Sequence, residues 1–368
     1  FPYCINFSNY HFINFTVPFT ACCHKNDNYC GKCKQSRKKI HGTNVVVNYG
    51  YRLTYICQTV QNQKSKIIIW GVLLFLAFVW GSSFILMKIA IFDSSGDVVY
   101  TPLEVAALRI AIAAIVLLPV TIKYLKSIKR SQILPLLAIG TLGNLFPAYL
   151  FTTAISSIPS AIVGMLNALT PLFTMIVAAL VFKTMVSKVQ FSGLFIGFIG
   201  ALLLAFGDFG VTKVSGDIEW WACGRVALAT FFYGISVNIL KNKLDGAPST
   251  AIASIALFMV LPPALMILLY SNVYSTLTDN PHGGSGMMAI AVLAAIGTAG
   301  ALILFNALIK WTNALTASSV TYIIPVFASI WGWMDGENLT IIHLAGGMVI
   351  LLGVALVNRV GEKVVDFE

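Results

Sequence analysis

FTTAISSIPSAIVGMLNALTPLFTMIVAALVFKTMVSKVQFSG (151–193) and FNALIKWTNALTASSVTYIIPVFASIWGWMDGENLTIIHLAGG (305–347) carry one pattern twice. Phe151, Pro171, Phe173 and Gly193 recur 154 residues later as Phe305, Pro325, Phe327 and Gly347, and Gly143 recurs as Gly297. At an offset of 153, Gly81, Ser83 and Lys88 recur as Gly234, Ser236 and Lys241, with Trp80 matched by Tyr233. Apolar segments of similar composition would share scattered glycines. They would not place prolines, phenylalanines and glycines at one fixed spacing.

Around this repeat the chain is 58% hydrophobic and 10% charged over 368 residues, with a mean hydropathy of +0.83. A soluble domain carries about 25% charged residues, so there is too little polar surface here for a water-soluble globule. The lipid bilayer is the expected surrounding. The net charge of +10 does not indicate nucleic acid, because the basic residues sit in the N-terminal stretch and in short loops between apolar segments.

About 20 mostly apolar residues cross a bilayer as a helix. Ten segments qualify: 68–91, 103–122, 133–155, 161–182, 190–209, 218–240, 251–271, 287–309, 315–334 and 343–360. Alternate loops hold Lys123, Lys126, Lys129 and Arg130; Lys183 and Lys188; Lys241 and Lys243; Lys310; and, at the C-terminus, Arg359 and Lys363. The other loops hold Lys213 beside Asp93, Asp97, Asp208, Asp217, Asp279, Asp335 and Glu337. Cytoplasmic loops are the basic ones, so both termini are expected in the cytoplasm. The fold expected is an all-α integral membrane protein of ten transmembrane helices in two five-helix repeats, residues 67–209 and 210–360, with a cytoplasmic tail over 361–368. An odd number of crossings per copy inverts the second relative to the first, which is the architecture of alternating-access transport.

WGSSFILMK (80–88) and PLEVAALRIAIAAIVLLP (102–119) resemble the first and second helices of EamA-type permeases of the drug/metabolite transporter superfamily. NALTPLF (167–173), TYIIPVFASIWGW (321–333) and GENLT (336–340) resemble the proline helices that end each of that family's repeats. The resemblance covers about 67–360. It implies ten helices, a cavity lined mainly by spans one, three, four, six, eight and nine, and passage of small metabolites, often efflux of amino acids. It also places the arginine of the second helix outside the main cavity. Asp335 departs from the family pattern and reads as a solvated interfacial residue.

Candidate cavity residues are the polar groups inside spans: Trp80, Ser83, Asn144, Tyr149, Asn167, Tyr233, Ser236, Asn238, Asn306 and Tyr322. For each, a helix–helix hydrogen bond is the competing reading. Pro171 and Pro325 remove a backbone donor and crowd the carbonyls of Asn167 and Thr321, so each is expected to kink its helix. Arg109 is the one charge well inside a span. It either binds an anion or, the favoured reading, holds the bundle together through helix-end carbonyls. Lys88 is expected to snorkel to the outer interface. Glycines 193, 197 and 200 in span five face an expected partner in glycines 346, 347 and 353 of span ten, with a dimer interface as the alternative to a monomer.

No Asp or Glu lies deep in a span, and no G-x4-GK[ST] loop occurs. Proton coupling through a buried carboxylate and ATP-driven transport are therefore not expected, and no cofactor is implied. No buried acid, His pair or metal-ligand cluster in the spans provides for an enzyme. The function expected is a secondary transporter, an exporter of small metabolites such as amino acids across a bacterial inner membrane. A nucleotide-sugar or sugar-phosphate antiporter is the alternative within the fold, and a non-transporting sensor the alternative outside it. Residues 1–66 differ in kind, being rich in Asn, Tyr, Lys and Phe. Cys22, Cys23, Cys30 and Cys33 allow a zinc reading, but the adjacent pair fits it poorly. The stretch is expected to be disordered or to lie outside the native protein, whose start would fall near Gln61–Ser65. For the orientation, a fluorescent protein fused after Glu368 should fluoresce and alkaline phosphatase fused there should be inactive; the opposite pair of results would invert the topology.

Overall fold

The computed structural model describes residues 4–6, 20–22, 38–40, 43–45, 49–183, 187–206, 220–244, 246–312, 317 and 319–365. The chain divides into two compact units, Phe1–Ile69 and Trp70–Glu368. In the first, strands β1 (Cys4–Asn6) and β2 (Thr20–Cys22) pair antiparallel, as do β3 (Lys38–Ile40) and β4 (Thr43–Val45). These ribbons are an exception to the all-α expectation. The side chains needed for the zinc reading lie outside the described residues. In the second unit every regular element described is a helix.

The helices are α1 (Tyr49–Ile91), α2 (Pro102–Val116), α3 (Leu118–Leu125), α4 (Arg130–Gly140), α5 (Phe146–Ile155), α6 (Ser160–Leu166), α7 (Thr170–Phe182), α8 (Lys188–Phe206), α9 (Trp220–Lys243), α10 (Ser249–Met259), α11 (Leu261–Leu269), α12 (Val273–Asp279), α13 (Gly283–Val292), α14 (Ala301–Trp311), α15 (Ile324–Met334) and α16 (Ile341–Val365). Among the described residues six stretches are long and apolar enough to cross a membrane, or seven if the bent pair α2–α3 counts as one. Within Lys188–Gly200, Ile324–Met334 and Ile341–Gly353 the apolar helices are shorter. The chain is thus a multi-pass membrane protein, with fewer full-length spans than the ten segments expected.

The breaks have local causes. Leu117 sits at φ −89°, ψ 2°, and α2 and α3 meet there at 60°. Pro119 follows and cannot donate to the carbonyl four residues back. Val260 has nearly the same backbone, φ −100°, ψ 3°, ahead of Pro262 and Pro263. The α4–α5 stretch widens into a π-helical turn over Thr141–Leu145, and α13–α14 does so over Leu293–Gly300. The chain tightens into 3₁₀ turns at Asn167–Leu169 and Ser319–Tyr322, just ahead of Pro171 and Pro325. The two π turns, and the two 3₁₀ turns, overlap at the 154-residue offset.

The close helix contacts are matched as well. A Cβ on Gly81 would lie 2.5 Å from Phe327 Cβ, and one on Gly234 2.8 Å from the Phe173 carbonyl carbon. A Cβ on Gly143 would meet the Ser236 hydroxyl, and one on Gly297 would lie 3.1 Å from the Ser83 hydroxyl. The repeated residues therefore meet each other crosswise: α1 packs on α15 and on the π turn before α14, while α9 packs on α7 and on the π turn before α5. Gly200 lies against the Ile350 amide and Gly353 against the backbone of Gly193 and Gly197. As expected from the glycines, α8 and α16 pack backbone to backbone.

Glu337 ties three elements at one end of the bundle. Its carboxylate accepts from the Ser160 amide (2.9 Å), the Ser160 hydroxyl (2.7 Å) and the Ala161 amide (3.0 Å), which open α6, and from Lys88 Nζ (2.9 Å) of α1. Lys88 also pairs with Asp335 at 2.6 Å. The lysine expected to snorkel and the aspartate expected to be solvated, which is exposed, are also partners. Gly336, at φ +80°, supplies the left-handed turn that points the carboxylate inward. Burial alone would raise the Glu337 pKa; the Ala161 amide, Lys88 and the Ser160 hydroxyl outweigh it and hold it below the ordinary 4.5. A lowered folded-state pKa means stabilisation that is fully present above the unfolded value and lost as pH falls through the folded one. Glu337→Gln should lower stability by about 1–3 kcal/mol and flatten the wild-type decline of the melting temperature below pH 4.5. Identical melting curves for the two proteins from pH 7 to pH 3 would sink this role.

Candidate transport site

A cavity of about 100 Å³, measured as room for the centres of water-sized groups, lies in the middle of the helical unit. One water takes about 10–15 Å³ on that measure, so the space suits a small molecule. Of the expected residues, Trp80, Ser83, Asn144, Asn167, Tyr233, Ser236 and Asn306 line it. Three do not. Tyr149 is on the outer face, 44% exposed. Asn238 is buried and its amide nitrogen donates to the carbonyls of Thr174 (2.9 Å) and Gly234 (2.8 Å). The side chain of Tyr322 lies outside the described residues. Spans two and seven also reach the wall, through Arg109 and Ile110 and through Ala253 and Ala256. This widens the set of lining spans implied by the resemblance.

Arg109 itself requires a correction. It is on the cavity wall, 8% exposed, and makes no bond to a helix-end carbonyl. Its Nε donates to Thr298 Oγ1 at 2.7 Å and its Nη1 faces Met87 Sδ at 3.9 Å. Thr298 in turn donates to the Leu293 carbonyl (3.1 Å), five residues back, across the π turn. Asn144, its counterpart at the 154-residue offset, donates to the Ile139 carbonyl in the same way (3.1 Å). The Thr170 hydroxyl takes the Asn167 carbonyl (2.8 Å) that Pro171 cannot reach. The carbonyl freed by the proline is therefore satisfied locally, by Thr170.

Aromatic rings form two matched walls. Trp80 stands edge-on to Phe305 at 4.9 Å between centroids and donates its Nε1 to the Gly297 carbonyl (3.0 Å). Tyr233 stacks on Phe151 at 5.8 Å. Trp80 and Tyr233 are repeat partners, as are Phe305 and Phe151. Thr298, Thr170 and the phenylalanines were missing from the expected set. Thr298 was open to discovery as the partner of Asn144; Thr170 carried no comparable signal.

The EamA-like transporter family model matches the chain twice, over residues 66–206 and 220–359. The chain belongs to the EamA-like transporter family. It is 29% identical over 302 residues to the uncharacterized inner membrane transporter YedA of Escherichia coli (strain K12), covering 79% of this chain and 90% of that one. It is 26% identical to the uncharacterized transporter YyaM of Bacillus subtilis (strain 168), over 71% and 86% of the two chains. The S-adenosylmethionine/S-adenosylhomocysteine transporter of Chlamydia trachomatis serovar D is 22% identical over 70% of this chain and 79% of its own. A crystal structure of a protein 15% identical in sequence superposes with a TM-score of 0.54, over 80% of this chain and 97% of the other, and shows a shared fold. The family and the relatives' names indicate a membrane transporter.

Asn238 and Asn306 separate holding from lining. Asn238→Ala removes two buried side-chain hydrogen bonds, to the Thr174 and Gly234 carbonyls, one of them between helices, and should cost about 1–3 kcal/mol. Asn306, with a single 3.5 Å bond to the Ser249 carbonyl, should tolerate Ala with little loss. Thermal unfolding in detergent reads both, and equal melting shifts would contradict the assignment.

Proposed function

We propose that this transporter is a ten-helix secondary carrier of two inverted five-helix repeats, with both termini in the cytoplasm. It exports small metabolites, such as amino acids, across a bacterial inner membrane by alternating access. The observation that carries the reading is the pairing of irregular segments around the cavity. π turns and 3₁₀ breaks recur at matched places in the two halves, and broken helices at the interface of two repeats are where secondary transporters bind their cargo. The crosswise contacts of Gly81 with Phe327 and of Gly234 with Phe173 give the two halves equivalent surfaces to rock on. The loop charges support the orientation. YedA is an inner membrane transporter by name, which supports the location.

The cavity wall carries no carboxylate among the described residues, which supports facilitated diffusion or exchange over proton coupling. Among the described residues a single cation, Arg109, faces the cavity, whereas a nucleotide-sugar or sugar-phosphate antiporter calls for several. Cells overexpressing the chain should resist a subset of toxic amino-acid analogues or drugs, and Asn167→Leu should abolish that resistance while inserting normally. In proteoliposomes, exchange should proceed without an imposed pH gradient. Uphill accumulation driven by that gradient would overturn the coupling.

A further inference from the structure

Arg109 breaks the symmetry that governs the rest of the cavity. Eight residues before the similar breaks at Leu117 and Val260 stand Arg109 and Ile252; the guanidinium lines the cavity, whereas on the other helix Ile252 is buried and Ala253 and Ala256 reach the wall. The arginine is 8% exposed and lines the cavity. Thr298 takes its Nε, and a thioether faces its Nη1. Among the described residues no oxygen accepts from Nη1 or Nη2 and no carboxylate pairs with the group. Arginine keeps its charge when buried, and an unpaired charge away from bulk water is costly. The cavity thus holds a fixed positive charge whose Nη2 has no protein acceptor among the described residues and whose Nη1 has only the weak Met87 thioether.

We propose that the cavity selects a small organic monoanion: a carboxylate held on Nη1 and Nη2 of Arg109, with an apolar or aromatic body between the Trp80–Phe305 and Phe151–Tyr233 walls. The two outer nitrogens of a guanidinium match a carboxylate's two oxygens in a bidentate pair. A phosphate dianion would bring a second charge with no second cation to meet it. A zwitterion would bring an ammonium with no carboxylate to meet it, beside a like charge. The site therefore prefers deaminated or N-blocked acids to free amino acids and excludes amines. This narrows the cargo of the proposed carrier and rests on the transport reading for its use, while the binding claim rests on the geometry of Arg109.

One phenyl body with three heads tests the binding: 3-phenylpropionate, phenylalanine and phenethylamine, each titrated against the purified full chain in nanodiscs with thermal unfolding as readout. The carboxylate should raise the melting temperature at the lowest concentration, phenylalanine at a higher one, and the amine not at all. Arg109→Gln should weaken the carboxylate's apparent affinity about tenfold to a hundredfold. Thr298→Val, which keeps the charge and removes its anchor, should weaken it less. Stabilisation by the amine equal to that by the acid, no shift with the acid, or an unchanged affinity in Arg109→Gln overturns the proposal. If Arg109→Gln does not fold, the order of the three heads on the wild type decides. Counterflow of labelled 3-phenylpropionate into proteoliposomes separates the two claims. Selective binding without flux sinks the transport reading and leaves the site. Flux of other compounds without selective binding sinks the site and leaves transport.

Discussion

A backbone carbonyl inside a bilayer has no water to turn to, and this constraint decides where the bundle can depart from the α-helix. Both π turns and the 3₁₀ turn before Pro171 have a side-chain donor beside them. The Thr170 hydroxyl takes the Asn167 carbonyl, the Asn144 amide takes that of Ile139, and the Thr298 hydroxyl takes that of Leu293. Trp80 reaches from α1 to the Gly297 carbonyl, and Asn238 from α9 to that of Thr174. The irregular backbone of these segments stands on the cavity wall, at Asn144, Asn167, Gly297 and Thr298. Polar side chains in the spans serve the backbone first, and those with capacity left over face the cavity.

The second organising element is close approach. Gly81, Gly234, Gly143 and Gly297 bring helices near enough that an added methyl would collide with a neighbour. Because these residues and their targets belong to matched pairs, the two halves meet through equivalent contacts. Equivalent contacts are what a carrier needs if its two end states are to have comparable energies, since each half can take the other's role. Arg109 and the Glu337–Lys88–Asp335 cluster stand outside this equivalence. The first marks one side of the cavity electrically. The second fastens one end of the bundle by a buried carboxylate that joins α1, the start of α6 and the turn after α15.

Most of the secondary structure and much of the cavity were legible in the chain. Apolar segments of membrane length, Pro171 and Pro325, and the glycines of α8 and α16 each act through a local rule, so their consequences could be read without a fold. The repeat ranked Trp80, Tyr233, Ser83 and Ser236 together, and all four line the cavity. Asn238 and Tyr149 were misread because burial and direction depend on which helix face meets a neighbour. Within a span that is apolar on every side, the sequence pattern does not mark that face. Glu337 looked like one more loop acid because its partners lie 177 and 249 residues away in the chain.

By itself the sequence determined that the chain lives in a membrane, that its two halves are copies, and that the helices are irregular at Pro171 and Pro325. Hydropathy, repeat spacing and proline chemistry are properties of the chain that no tertiary contact has to supply. Only the tertiary structure decided that Arg109 faces the cavity without a counter-charge and that Glu337 is buried against a lysine and a helix start. It also decided that Thr298 and Thr170 belong to the site. The reason is that the state of a charge or a hydrogen-bonding group depends on what stands within about 3–4 Å of it. In a bundle of this kind those neighbours come from segments far away along the chain.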